Sequence, residues 1–213
     1  MEAMTIESDA RKFAAAVEHD MQVWMERAVI GLNLCPFAKA VHVRGQIHYA
    51  VSRARTSDQL AMDLAQQLRD LVALDPTVRD TTLLIAPDWL PEFLAFNDFL
   101  AHADRILHHL ALEGTVQIAS FHPDYQFADA PVDDISNYTN RAPYPTLHLL
   151  REASIDRAVQ AFPDAESIFG RNLQTMQALG AAGWQALGIH RTAPAPDAPA
   201  PAPAPVLHNK TDP

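Results

Sequence analysis

Between Phe121 and Pro145 the chain gathers side chains that move protons or hold charge: His122, Asp124, Tyr125, Asp129, Asp133, Asp134, Asn137, Asn140, Arg141 and Tyr144. The stretch is about 25 residues long and has no apolar periodicity; compact domains keep such a loop chiefly where it serves a function. Pro123, Pro131, Pro143 and Pro145 stiffen it, and stiffness holds polar groups at fixed positions. A histidine of unperturbed pKa about 6.5 gives or takes a proton at little cost near neutral pH. His122 is therefore the candidate general acid or base, and Asp124 its orienting or proton-sharing partner. Arg141 offers a planar fork for a carboxylate or phosphate. Tyr144 and Trp89 are expected to shape the pocket. His148, in "TLHLLRE", faces the side opposite Leu147 and Leu149. It contacts substrate if that side lines a crevice, and is a buried neutral ring if that side is core. An alternative gives His122, His148 and Cys35 to a metal or cofactor. No HExxH or CxxC spacing is present, so no metal is assigned. A further alternative makes the stretch a structured cover, with "HPDYQ" as a turn.

The only cysteine lies in "NLCPFAKA". Pro36 pushes Cys35 away from helical angles, so a preceding helix stops there. At a helix C-terminus the thiol is inert and packs as a small apolar group. If Pro36 instead opens a short turn, Cys35 caps it, and unpaired N–H groups lower the thiol pKa. Both readings of this possible reactive thiol stand at the level of sequence.

The elements that must hold these residues follow from periodicity. Phe13, Val17, Met21, Trp24, Ala28 and Leu32 form one stripe of a helix over residues 8–34. "QIHYAVS" alternates as a half-buried strand. "TSDQ" is a capping box for a helix with Leu60, Leu64, Leu68 and Leu71 on its buried face. "TLLIAP" is a short central strand, "TVQIASF" a third, and "TLHLLRE" a fourth. A helix with Phe93, Phe96, Leu100, Ala103, Leu107 and Leu110 lies between the second and third. The last helix carries Ile168, Asn172, Met176 and Leu179 on one face. Strands alternating with helices predict an α/β fold, a mostly parallel sheet of three or four strands packed with helices in a single domain, residues 8–190. Residues 1–7 are expected to be a disordered N-terminus, and residues 191–213 a disordered Pro/Ala-rich tail. His122 leaves the third strand, and Asp88 and Trp89 the second, at their C-terminal ends. In open α/β sheets ligands bind in the crevice beyond those ends.

"GLNLCPFA", "FHPDYQFAD" and "NYTNRAPYPTLHLLREASIDRAV" together resemble a bacterial domain-of-unknown-function family, over about residues 10–190. The resemblance implies a chain of roughly this length and no particular activity, cofactor or residue role.

Composition narrows the function classes. The net charge is −10, from 26 acidic and 16 basic residues. That argues against a nucleic-acid partner, which needs a basic stripe, and against an anionic membrane surface. No run reaches the roughly 18 apolar residues of a membrane span, and the N-terminus lacks a signal-peptide core. One cysteine makes no internal disulfide, so a cytoplasmic location is expected. The seven glycines build no GxGxxG or Walker loop, and no GxSxG elbow occurs. The expected function is a cytoplasmic enzyme using His122 and Asp124 in acid–base chemistry on a small anionic metabolite. The alternatives are a metal- or cofactor-binding protein using His and Cys ligands, and a non-catalytic protein-interaction domain.

Overall fold

A computed structural model describes residues 2–161 and 167–193. Helix α1 (Glu2–Trp24) begins within the stretch assigned to a disordered N-terminus. It buries Val17, Met21 and Trp24, the stripe expected of it, and then widens into a π-helical segment, Met25–Ile30. Gly31 closes that segment. A Cβ there would lie 2.4 Å from the Arg27 carbonyl oxygen, so only glycine fits the wide turn. The Val29 carbonyl then accepts from the N–H groups of Leu34 and Cys35, at 2.9 and 3.4 Å, which caps the helix end.

Helix α2 (Ala38–Val43) and strand β1 (Ile47–Val51) follow. Helix α3 (Ser57–Ala73) starts at the expected capping box: Thr56 Oγ1 accepts from the Gln59 N–H at 3.2 Å. Strand β2 (Thr81–Ile85), helix α4 (Phe93–His109) and strand β3 (Val116–Phe121) come next. A 3-10 segment (Ile135–Asn140) interrupts the long loop before strand β4 (Thr146–Arg151). Helices α5 (Glu152–Ala161) and α6 (Ile168–Ala186) close the described chain, α6 kinking at Gly180. No helix among the described residues is long and apolar enough to cross a membrane.

The strand order is β1-β2-β4-β3. β1 and β2 pair in parallel, while β4 is antiparallel to both β2 and β3. The expectation of a mostly parallel sheet is therefore corrected. β1, β2 and β3 do run in one direction, as helical crossovers require. The fourth strand is the antiparallel one and enters between β2 and β3. A central place suits its sequence, since Leu147 and Leu149 are buried on one face and Thr146 on the other.

Each face of the sheet has its own core. On one, Leu84, Leu147, Leu149 and Val116 pack against Leu60, Leu64, Leu68 and Leu71 of α3 and Phe96, Phe99, Ala103 and Leu107 of α4. On the other, Leu83 and Ile85 pack against Val17, Met21, Trp24 and Ala28. The C-terminal segment joins this second core. Asp20, 2% exposed, accepts from the Tyr144 hydroxyl at 2.6 Å and from the Thr192 N–H and hydroxyl, each at 2.7 Å. Burial alone would raise the Asp20 pKa; the bonds from Thr192 and Tyr144 outweigh it and hold the carboxyl below its ordinary range. Arg191 stacks over Tyr144 at 4.8 Å and donates to the Pro143 carbonyl. The C-terminal segment is thus packed on the second core as far as Ala193. The remainder of the Pro/Ala-rich tail lies outside the described residues.

Candidate functional site

His122 follows the last residue of β3. Phe121 faces α1, so His122 points the other way, into the core under α4. Its ring sits 5.5 Å from that of Phe93 and 5.2 Å from that of Phe96, with no exposed surface. Nδ1 accepts from the Asp124 N–H at 3.0 Å, so Nε2 carries the hydrogen and donates to the Leu90 carbonyl at 3.1 Å. Burial pulls the His122 pKa below its ordinary value, and the ring is neutral. Both nitrogens are occupied by backbone, which leaves neither for a substrate proton. The carboxylate of Asp124 is exposed; its backbone N–H is the part that meets the ring.

Arg141 is also engaged internally. Its Nε donates to the Tyr125 carbonyl at 3.2 Å and Nη2 to that of Val132 at 2.8 Å, while the guanidinium stacks on Tyr138 at 4.2 Å. Tyr144 is buried against Asp20. Trp89 packs on the α3/α4 core, its Nε1 buried without a hydrogen-bond partner among the described residues. His148 pairs in register with Ala119, which shares the Phe121 side of β3. It therefore lies on the opposite face of the sheet from His122. Thr81 Oγ1 donates to the Leu149 carbonyl at 2.7 Å, so His148 Nε2–H donates to Thr81 Oγ1, also at 2.7 Å. Burial pushes the His148 pKa down to about 4. His122, His148 and Cys35 do not converge, and no group of three His, Cys, Asp or Glu residues is placed to hold a metal among the described residues.

Chain packs into part of the crevice expected beyond the ends of β2 and β3. The segment entering β4 crosses it, with the Ala86 N–H donating to the Pro145 carbonyl at 2.9 Å. His122 with Leu90 seals one side, and the ion pair of Arg53 with the buried Asp88 carboxylate, at 2.5 Å, seals another.

The large open cavity lies on the α1 face, beside Phe121 at the end of β3. It measures about 820 Å³ and is walled by Val29, Leu34 and Cys35, by Phe121, by the loop from Phe127 to Asn140, and by Phe169, Asn172, Leu173 and Gln177 of α6. Asn172 Nδ2 donates to the Leu34 carbonyl at 2.8 Å, tying α6 to the turn that holds Cys35. The loop is braced by the fully buried Asn137, which accepts from the Phe127 N–H at 3.0 Å and donates to the Pro131 carbonyl at 2.8 Å. Asp129, Asp134, Ser136, Thr139 and Asn140 line the loop wall. A second cleft, of about 420 Å³, lies between β1 and α3. There the Ser52 hydroxyl donates to Asp63 at 2.5 Å and no histidine is at hand to activate it.

Cys35 is the expected site residue that reaches the cavity. Burial raises its thiol pKa, outweighing the Phe37 and Ala38 N–H groups that face the sulfur and favour the thiolate. The turn-capping geometry is present, and desolvation overrides it. Labelling by a disulfide reagent should accordingly be slow at pH 7 and speed up about tenfold per pH unit through pH 8 and above. Fast labelling below about pH 7 would show a thiolate instead.

Asn172, Phe169, Ser136, Thr139 and Gln177 were not among the expected site residues. One signal for them was in the sequence: Asn172 interrupts the apolar face of Ile168, Met176 and Leu179. An amide on such a face needs a partner, and that partner is the loop holding Cys35.

The family model described as a protein of unknown function (DUF1415) matches residues 16–186. No curated protein and no solved structure matches the chain.

Proposed function

We propose that this chain, which belongs to the family described as a protein of unknown function (DUF1415), binds a small organic molecule in the cleft between the π-helical segment, the proline-rich loop and α6. The observation that carries this is the cleft itself. At about 820 Å³ it has the size of a ligand site, with apolar side chains and a few braced polar groups along its walls. Its walls come from segments distant in sequence; Asn172 ties α6 to the Cys35 turn, and Asn137 braces the loop from within. That is the preorganisation binding requires. Anion binding through Arg141 loses its support, because that guanidinium bonds two carbonyls of its own loop. Acid–base chemistry at His122 loses its support for the same reason. Cys35 supplies a neutral, polarisable wall.

A fragment library of mixed charge, read by ligand-observed NMR, tests the proposal. Ala128 is exposed at the loop wall, so Ala128→Trp plugs the cleft without entering the core. A set of fragments should bind the native chain and lose binding in Ala128→Trp. Equal binding to both proteins would place the ligands elsewhere and overturn the assignment.

A further inference from the structure

We propose that the cleft selects an organic cation, a protonated amine carried on an apolar or aromatic body; this rests on the cleft being the binding site. The hydrogen-bonding balance of its walls is the first support. The Thr139 hydroxyl spends its only proton on the Ser136 carbonyl at 2.8 Å. Asn172 donates one amide N–H to the Leu34 carbonyl at 2.8 Å, and Asn140 donates one to the Ser120 carbonyl at 3.3 Å. Several wall donors are thus spent inside the protein, while the carboxylate oxygens of Asp129 and Asp134 remain as acceptors. A ligand that only donates matches that balance. A protonated amine has N–H donors and no acceptor.

Charge gives the second support. Asp129 and Asp134 are the charged residues lining the cleft, and no Lys, Arg or His is among its walls. Asp134 uses Oδ1 to accept from the Ser136 N–H at 2.8 Å. The backbone and side-chain bonds from Ser136 lower its pKa, so it stays ionised at neutral pH. Asp129 has no hydrogen bond or ion pair among the described residues, and its side chain is exposed. A carboxylate or phosphate brought here meets like charge with no cation to offset it.

The third support is aromatic. Phe121, Phe127 and Phe169 line the same space, and ring faces attract ammonium groups. Phe169 is 70% exposed, an unusual setting for so large an apolar side chain at the rim of a cleft. An aromatic or alkyl body resting on Phe169 covers it while the charged head reaches the two carboxylates.

Three probes of nearly one shape separate the classes: phenethylammonium, phenethyl alcohol and 3-phenylpropionate, titrated calorimetrically into the full chain. The ammonium should bind roughly tenfold or more tighter than the alcohol, and the carboxylate should bind more weakly than either. The double variant Asp129→Asn with Asp134→Asn should bring the ammonium to the level of the alcohol. Asparagine keeps the cap that Asp134 provides, so the loop is retained, and an unchanged thermal midpoint verifies it. Equal or tighter binding of the alcohol or the carboxylate overturns the cation assignment. So does a preference that survives the double variant. If uncharged or anionic fragments bind and Ala128→Trp blocks them, the cleft stands and the ligand class falls. If no probe or fragment of any charge binds, both fall.

Discussion

Replacing His122 with alanine should destabilise the fold by about 4 kcal/mol. The ring has no exposed surface and packs against Phe93 and Phe96, so its removal opens a void in the main core. For side chains of this bulk that loss alone amounts to about 2–3 kcal/mol. Two backbone groups then lose partners, the Leu90 carbonyl and the Asp124 N–H. The buried Leu90 carbonyl adds about 1 kcal/mol or more, and the part-buried Asp124 N–H adds less. His122→Phe separates the contributions. It refills the volume but makes neither bond, and should recover only about half of the loss. Urea denaturation at neutral pH, with an unchanged slope, reads both values. A histidine kept for proton transfer behaves differently, since removing it usually leaves stability unchanged or raised. A loss below about 1 kcal/mol for His122→Ala would therefore return His122 to the list of catalytic candidates.

Acidification should weaken the fold well before its carboxylates titrate. His148 is held neutral in the native sheet with a pKa of about 4, against about 6.5 in an unfolded chain. Between those values the unfolded chain binds a proton that the native chain refuses. Stability therefore rises with pH across this window and is lost as pH falls from about 6.5 to 4. For a fully enclosed ring the gap corresponds to about 3 kcal/mol; the partial exposure of the residue trims this to roughly 2 kcal/mol. His122 is shifted in the same direction and adds to the slope. Asp20 acts lower: its pKa is held below the ordinary carboxylate value of 3.8, so its contribution is lost only as pH falls through the depressed value. His148→Gln keeps an N–H donor for Thr81 but cannot titrate. Its urea midpoint should change less between pH 7 and pH 4.5 than that of the native chain. Identical pH profiles for the two proteins would show that His148 does not drive the acid response.

Local features were legible in the sequence, and long-range ones were not. The stripe of Leu60, Leu64, Leu68 and Leu71, the cap at Thr56 and the four strands lie where spacing and propensity put them, because each is decided within a few residues. The place of β4 is decided by pairing with strands far away in sequence. No periodicity within "TLHLLRE" records its neighbours, and its apolar character on both sides fits a central strand of either direction. The loop from Phe121 to Pro145 was singled out for its length, its prolines and its polar side chains. Asp129, Asp134 and Asn140 do face the cleft. His122 and Arg141, the residues most suited to chemistry by type, are spent on backbone carbonyls and N–H groups. Residue type tells what a side chain is able to do; only its neighbours tell whether a lone pair or proton is left over. The two readings of Cys35 met in one geometry, with the cap in place and burial prevailing.

The central position of β4 also sets an order of events as the chain leaves the ribosome. β1, α3 and β2 are contiguous, so every residue of the β1–β2 pair is present once Ile85 has emerged. β3 is made next and has no strand to join, because its one neighbour in the sheet lies later in the chain. Until Arg151 is out, β2 and β3 both present unpaired apolar edges, the state most open to association with other chains. β4 pairs with both and completes the sheet. A chain that stops before Thr146 is therefore not a smaller version of this domain but two fragments without the strand that joins them.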